Sequence, residues 1–347
     1  MTRSPSRQGL SEAPFGSGHH RGDPAPEVDP ESVSHLASVA GGRRFLQFTQ
    51  RKSSLMADPS ATAEAVRSLI DAFSLEMTGK DVPGLLEAKD TIPPRTKVNI
   101  TFLGNEDLDM RIAAAKAVRE LGFVAVPHIS ARRLASRAQL EQFLSRLRDV
   151  GATEHVFVVG GDPATPEGPY EDSYDVIRTG LLPDYGVKEV SIAGYPEGHP
   201  NIPNEVLWRA LEEKSSSLAQ QGLNATILTQ FAFDTDPVLG WIEDVRTRGI
   251  RSTIRIGTPG PAGIKRLIGF ARRFGIGANA MIVQKYGFSL TNLLGTAGPD
   301  RFVTDLALLL NDSSAGVSYG SINLHFYTFG GLRATSVWAR EFLAVES

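Results

Sequence analysis

From residue 97 onward, short apolar runs alternate with stretches of helical periodicity, and this alternation constrains the fold more than any single motif. The runs are KVNITF at 97–102, FVAVPH at 123–128, HVFVVGGD at 155–162, VKEVSIAGYP at 187–196, NATILTQ at 224–230, RSTIRIG at 251–257 and INLHFYT at 322–328. Between them, apolar residues fall three and four apart, as in Leu140, Phe143, Leu144 and Leu147. Such spacing predicts helices over 107–121, 135–150, 170–181, 204–221, 236–249, 261–274, 287–310 and 332–342. One further run, FSLEM at 73–77, follows a helical pattern of Val66, Leu69 and Ile70. The segment 80–96, with Pro83, Pro93 and Pro94, reads as a loop.

Strands alternating with helices imply parallel pairing through helical crossovers. Eight such units predict an α/β fold, a closed (β/α)8 TIM barrel of about 250 residues. Residues 61–347 are expected to form it as a single catalytic domain. A doubly wound open sheet is the alternative, but no GxGxxG turn follows the first strand. Residues 1–60 are rich in Ser, Pro, Gly, Arg and His and lack periodic apolar positions, which predicts a flexible extension.

Composition removes several function classes. The chain has no cysteine, so disulfides, thiolate metal sites and cysteine nucleophiles are excluded. A formal net charge of −3 offers no broad basic surface to nucleic acid. No apolar run approaches the roughly 20 residues that span a bilayer, and the N-terminus lacks the apolar core of a signal peptide. A cytoplasmic protein without a membrane partner is expected; oligomerisation is left open. HExxH, GxSxG and P-loop patterns are absent, and no metal site is expected.

In a barrel of this kind the chemistry sits at the C-terminal strand ends. Those ends carry Glu76, Thr101, His128, Asp162, Tyr195 with Glu197 and His199, Thr229 with Gln230, and His325 with Tyr327 and Thr328. A lone histidine after a strand is more often a satisfied structural group, but seven converging polar ends point to a site. Glu76 and Asp162 are the acids of first interest, because an apolar barrel mouth favours the protonated carboxyl and proton donation near neutrality. The competing reading is a salt bridge for Glu76 and a turn or cap for Asp162. Gly160 and Gly161 let the backbone pass close to a ligand. Gln230 offers both donor and acceptor to a ring edge. Phe231 and Phe233 read as core rather than as walls of a planar slot.

The order GGDP, AGYPEGHP, TQFAFD and HFYT resembles the methylenetetrahydrofolate reductase family. Members show an RGDPP-like turn, a YPExHP loop, a TQxFFD strand end and an HFYT-like last strand. FSLEM supplies the first-strand glutamate and VPHIS resembles the segment after the third strand, so the likeness covers about 70–345. The resemblance implies a barrel in which FAD and a folate share the mouth, and reduced flavin passes hydride to 5,10-methylenetetrahydrofolate to give 5-methyltetrahydrofolate. It implies catalytic roles for Glu76, as the general acid that opens the folate five-membered ring, and for Asp162, which also holds the pterin. Gln230 and Tyr327 fall to the folate; Thr101, His128, Gly161, Tyr195, His199 and Lys214 fall to the flavin. NADH or NADPH is the implied electron donor.

The chain also departs from that pattern. Gly160 stands where the family commonly has Arg, the first-strand FEFFPP is reduced to LEMTGKD, and Leu207, Ala210 and Glu213 replace polar flavin contacts, leaving Lys214. Each lost charge-assisted hydrogen bond costs about 1.5–3 kcal/mol, so weak or altered FAD binding is expected. The departures keep open the oxidative direction, from methyl- to methylenetetrahydrofolate in one-carbon catabolism. The alternative is a folate-binding barrel that transfers a methyl group or only binds, without redox chemistry.

Overall fold

The computed structural model describes residues 59–263, 266–269, 296–312 and 318–345. Eight strands close a parallel barrel: β1 (Ser74–Met77), β2 (Lys97–Ile100), β3 (Val124–Ser130), β4 (His155–Val159), β5 (Glu189–Gly194), β6 (Asn224–Thr229), β7 (Thr253–Pro259) and β8 (Ile322–Tyr327). They follow chain order around the ring. Closure comes from β8, which pairs with β7 on one side and with β1 on the other, Ser74 opposite His325. The eightfold alternation read from the sequence is therefore the barrel.

Apolar residues on alternate strand positions pack outward against the helices. Leu75, Val98, Val156, Val190, Ile227, Ile254 and Leu324 are all fully buried in this layer. The helices meet them with the predicted faces: Leu140, Phe143, Leu144 and Leu147 of Arg137–Asp149 are all buried. Several helices start on side-chain caps, Asp107 accepting from the Met110 amide, Ser136 from Gln139 and Asp172 from Tyr174 and Asp175.

The opposite strand faces point inward and are unusually polar. At the N-terminal floor, Lys97 Nζ lies 2.8 Å from Glu189, whose other oxygen accepts from Thr226 Oγ1 at 2.6 Å. His155 hydrogen-bonds Ser191 across the floor at 2.8 Å. One layer higher, Ser74, Glu76, Asn99, His128 and His325 point towards the mouth side of the interior.

Three sequence expectations are corrected. The segment 80–96 is not all loop: a one-turn helix at Gly79–Asp81 runs into a helix at Val82–Ala88. Pro83 lies in its first turn, where the missing N–H has no intrahelical partner to lose. The single helix over 170–181 is two short ones, Ser173–Ile177 and Leu181–Asp184. Gly180 separates them in the left-handed region, at φ 70°. The stretches at 261–274 and 287–310 are helical only in part: Ala262–Gly263 pairs antiparallel with Thr296–Ala297, and a helix spans Asp300–Asn311. Residues 266–269 are helical, while 264–265, 270–274 and 287–295, and residues 1–58, lie outside the described residues.

Candidate functional site

The C-terminal strand ends surround a cavity of about 600 Å³. Its apolar walls include Phe157, Val159, Ala193 and Leu228. Glu76, Thr101, His128, Gly161, Asp162, Tyr195, Gln230 and Tyr327 all line it. Eight of the ten residues singled out from the sequence thus converge. His199 does not line it: its ring packs edge-on against Tyr195 at 5.4 Å, and its Nδ1 accepts from the Asn201 amide. Lys214 is also elsewhere. It is buried on the helix Asn204–Gln220, with Nζ 3.4 Å from Ser173 Oγ and with burial lowering its pKa to about 8.

Glu76 is the centre of the arrangement. Its carboxylate Oε2 lies 3.5 Å from His325 Nε2 and 3.9 Å from His128 Nε2. These are electrostatic contacts too long for well-formed hydrogen bonds. Burial holds His128 at about 4 and pushes His325 down as well, so both imidazoles are neutral near pH 7. The Ser74 hydroxyl meets His325 Nδ1 at 2.9 Å and fixes that ring from below. His325 was visible as a strand-end residue but received no role. The signal was its spacing of two from Tyr327, which puts both on one strand face.

Tyr327 closes one side of the cluster. Its hydroxyl donates to the Thr229 carbonyl at 3.0 Å, and its ring sits edge-on to His325 and to Phe231. Burial raises the phenol pKa well above its ordinary value, with Glu76 and Tyr195 adding to the effect. The Gln230 amide oxygen accepts from the Phe231 N–H at 3.2 Å, which leaves the amide nitrogen as its donor. Phe231 and Phe233 are buried, as read. Asp162 stands at the rim with its side chain 73% exposed and paired to Arg133.

The model of the methylenetetrahydrofolate reductase family matches residues 85–273, more than half of the chain. The chain belongs to that family. A 5,10-methylenetetrahydrofolate reductase of Pectobacterium carotovorum subsp. carotovorum is 29% identical over 177 residues, 50% of this chain and 57% of that protein. Methylenetetrahydrofolate reductase 2 of Saccharomyces cerevisiae is 30% identical over 128 residues, 35% of this chain and 20% of that one. The match thus spans about half of one relative's length and a fifth of the other's. A solved structure of a Clostridium thermocellum protein, described as binding two copies of 5-methyl-5,6,7,8-tetrahydrofolic acid, shares the fold. It aligns with TM-score 0.53 and 12% identity over 81% of this chain and 98% of that one.

A methylenetetrahydrofolate reductase barrel implies a flavin, and the cavity can be tested for one. Ser130 Oγ and His128 Nε2 are buried without hydrogen-bond partners beside apolar walls. That setting suits a planar ring with polar edges. The pyrophosphate end is poorer, because Lys214 is sealed against Ser173 and Arg266 is the one Lys or Arg among the described lining residues. The ring-binding half fits, whereas the described residues offer no buried cation to the phosphates.

The buried histidines give a stability prediction. His128 and His155 are held at about 4 and about 3, mainly by burial, against about 6.5 unfolded. Above pH 6.5 both states are neutral and the groups contribute nothing. As pH falls below 6.5 the unfolded chain takes up protons that the folded one refuses, so stability drops towards pH 4 by on the order of 3 kcal/mol per histidine. Thermal melts from pH 7.5 to 4.5 should show this fall. His128→Gln should flatten it, and an unchanged slope would contradict the assignment.

Proposed function

We propose that the barrel mouth interconverts 5,10-methylenetetrahydrofolate and 5-methyltetrahydrofolate with a flavin as redox partner. The observation that carries this reading is Glu76, an enclosed carboxyl between two neutral imidazoles at the floor of a ring-sized cavity, in a chain of this family. The folate named for the Clostridium thermocellum protein of the same fold supports a folate as the small-molecule ligand.

In the reductive direction, protonated Glu76 donates its proton to the departing ring nitrogen of the imidazolidine. The methylene–nitrogen bond breaks and leaves an iminium on the other nitrogen. A flavin, when bound, supplies the hydride that reduces the methylene carbon to methyl. In the oxidative direction the same carboxylate takes the proton back as the ring closes. His128 and His325 keep their neutral forms beside it and so do not compete as cations. Gln230 and Tyr327 hold the folate ring, with Asp162 accepting from its edge. Thr101, His128, Gly161 and Tyr195 would line a bound flavin ring, with His199 supporting Tyr195 from behind. Lys214 is taken up by packing, so the described residues would hold FAD weakly by comparison with a site that carries buried cations. NADH or NADPH is the electron donor of the reductive direction.

The cofactor part is tested by the visible spectrum of the purified protein with and without added FAD. A flavin band that shifts on binding, with affinity in the micromolar range or weaker, is expected. No bound flavin and no binding on addition would remove the cofactor. A folate-binding barrel without redox chemistry keeps Asp162 and Gln230 but does not depend on Glu76.

A further inference from the structure

The loops after β3 and β4 are stitched together at the cavity rim. The Arg132 amide donates to the Gly160 carbonyl at 2.9 Å, and the Glu167 amide donates to the Arg132 carbonyl at 2.8 Å. Arg132 also reaches Glu171 at 3.5 Å. Arg133 crosses the same seam. Its Nε and Nη2 both donate to Asp162 Oδ1, at 3.0 and 2.7 Å, while Nη1 lies 3.7 Å from Glu167. The Arg133 side chain is only 17% exposed, although the carboxylate it holds is 73% exposed. It is covered from the β2 side, where a Cβ on Gly104 would overlap the guanidinium. The guanidinium therefore occupies space that exists because residue 104 is glycine.

Both donors fall on one oxygen, and Asp162 Oδ2 has no hydrogen bond among the described residues. Two charge-assisted donors on Oδ1 anchor that oxygen more firmly than a single donor would, and leave Oδ2 for another partner. We infer that Arg133, seated by Gly104, is a positioning residue that fixes Asp162 so that Oδ2 accepts from the N–H edge of the folate ring. This inference rests on the folate reading above. It requires Arg rather than Lys, because an ammonium cannot supply the fork. Arg133 acts through Asp162, so its removal should weaken folate binding and leave the chemical step nearly intact.

The test uses equilibrium binding of 5-methyltetrahydrofolate and steady-state kinetics on the full chain. The variants are Arg133→Gln, Arg133→Lys, Gly104→Val, Asp162→Asn and the double Arg133→Gln/Asp162→Asn. Arg133→Gln should raise Kd and KM about ten- to hundredfold with kcat within about threefold, the scale of a lost charge-assisted hydrogen bond. Arg133→Lys should not rescue, and Gly104→Val should move Kd the same way by displacing the guanidinium. The double variant should bind no worse than Asp162→Asn, because the two residues form one unit. Unchanged Kd in Arg133→Gln would overturn the inference, as would additive losses in the double variant. A fall in melting temperature and kcat at constant KM would also overturn it, as the mark of a purely structural tie. If the wild type fails to bind the folate, the function reading falls and this inference with it; if the wild type binds and Arg133→Gln binds equally, only this inference falls.

Discussion

Glu76→Gln should lower turnover by about 10²- to 10⁴-fold while the barrel stays folded, the range expected when a positioned general acid is removed. Glutamine keeps the shape of the side chain, and its amide cannot release a proton to the departing nitrogen. Packing should survive, because the groups nearest the side chain, His128 and His325, are neutral and form no ion pair that the substitution could break. The Thr328 hydroxyl bonds the Glu76 backbone carbonyl at 2.5 Å, a contact the substitution leaves in place. Kcat and the melting temperature, measured together, check this. A variant that melts normally and turns over at the wild-type rate would show that Glu76 is not the acid.

The second large effect is structural and falls on the cavity wall. Gly161 sits at φ 98°, where a side chain is strained, and a Cβ there would overlap Ser130 Oγ. Gly161→Ala should therefore cost about 1–2 kcal/mol of backbone strain and about 1–3 kcal/mol of overlap. Because Ser130, Gly161 and Asp162 line one wall, ligand affinity should fall with stability. Adding Ser130→Ala to the variant separates the two costs. It removes the overlapping hydroxyl, since Ser130 Cβ would remain 3.5 Å away, but it leaves the φ strain. The double variant should regain part of the lost melting temperature. A Gly161→Ala protein as stable as the wild type would contradict the geometry.

The barrel was legible because its evidence is periodic. Eight apolar runs separated by helical spacing leave few alternatives to a closed parallel sheet. The strand ends were legible for the same reason, since alternation puts Glu76, His128 and Tyr327 on interior faces. What escaped depended on contacts between distant segments. The proximity of His325 to Glu76 is created by closure, when β8 pairs with β1 and Ser74 comes opposite His325. No local pattern encodes that meeting. The Arg133 clasp on Asp162 joins two loops in the same way. Lys214 escaped for a different reason: the facing of a helix about its own axis is set by what it packs on, here Ser173 on a neighbouring helix. The resemblance supplied the residue type but not that rotation. Pro83 and Gly180 show the limits of punctuation residues, one opening a helix where a loop was read and the other dividing a helix read as continuous.

The proposed reaction is redox chemistry on a folate one-carbon unit at the barrel mouth, with Glu76 as its acid. The most direct measurement is an anaerobic assay of the purified full chain with FAD, 5-methyltetrahydrofolate and an electron acceptor. It is paired with the reverse assay from 5,10-methylenetetrahydrofolate with NADH or NADPH. Turnover in at least one direction, abolished by Glu76→Gln, is the predicted result. Tight folate binding without oxidation or reduction in either direction would contradict the claim and leave the barrel as a folate binder.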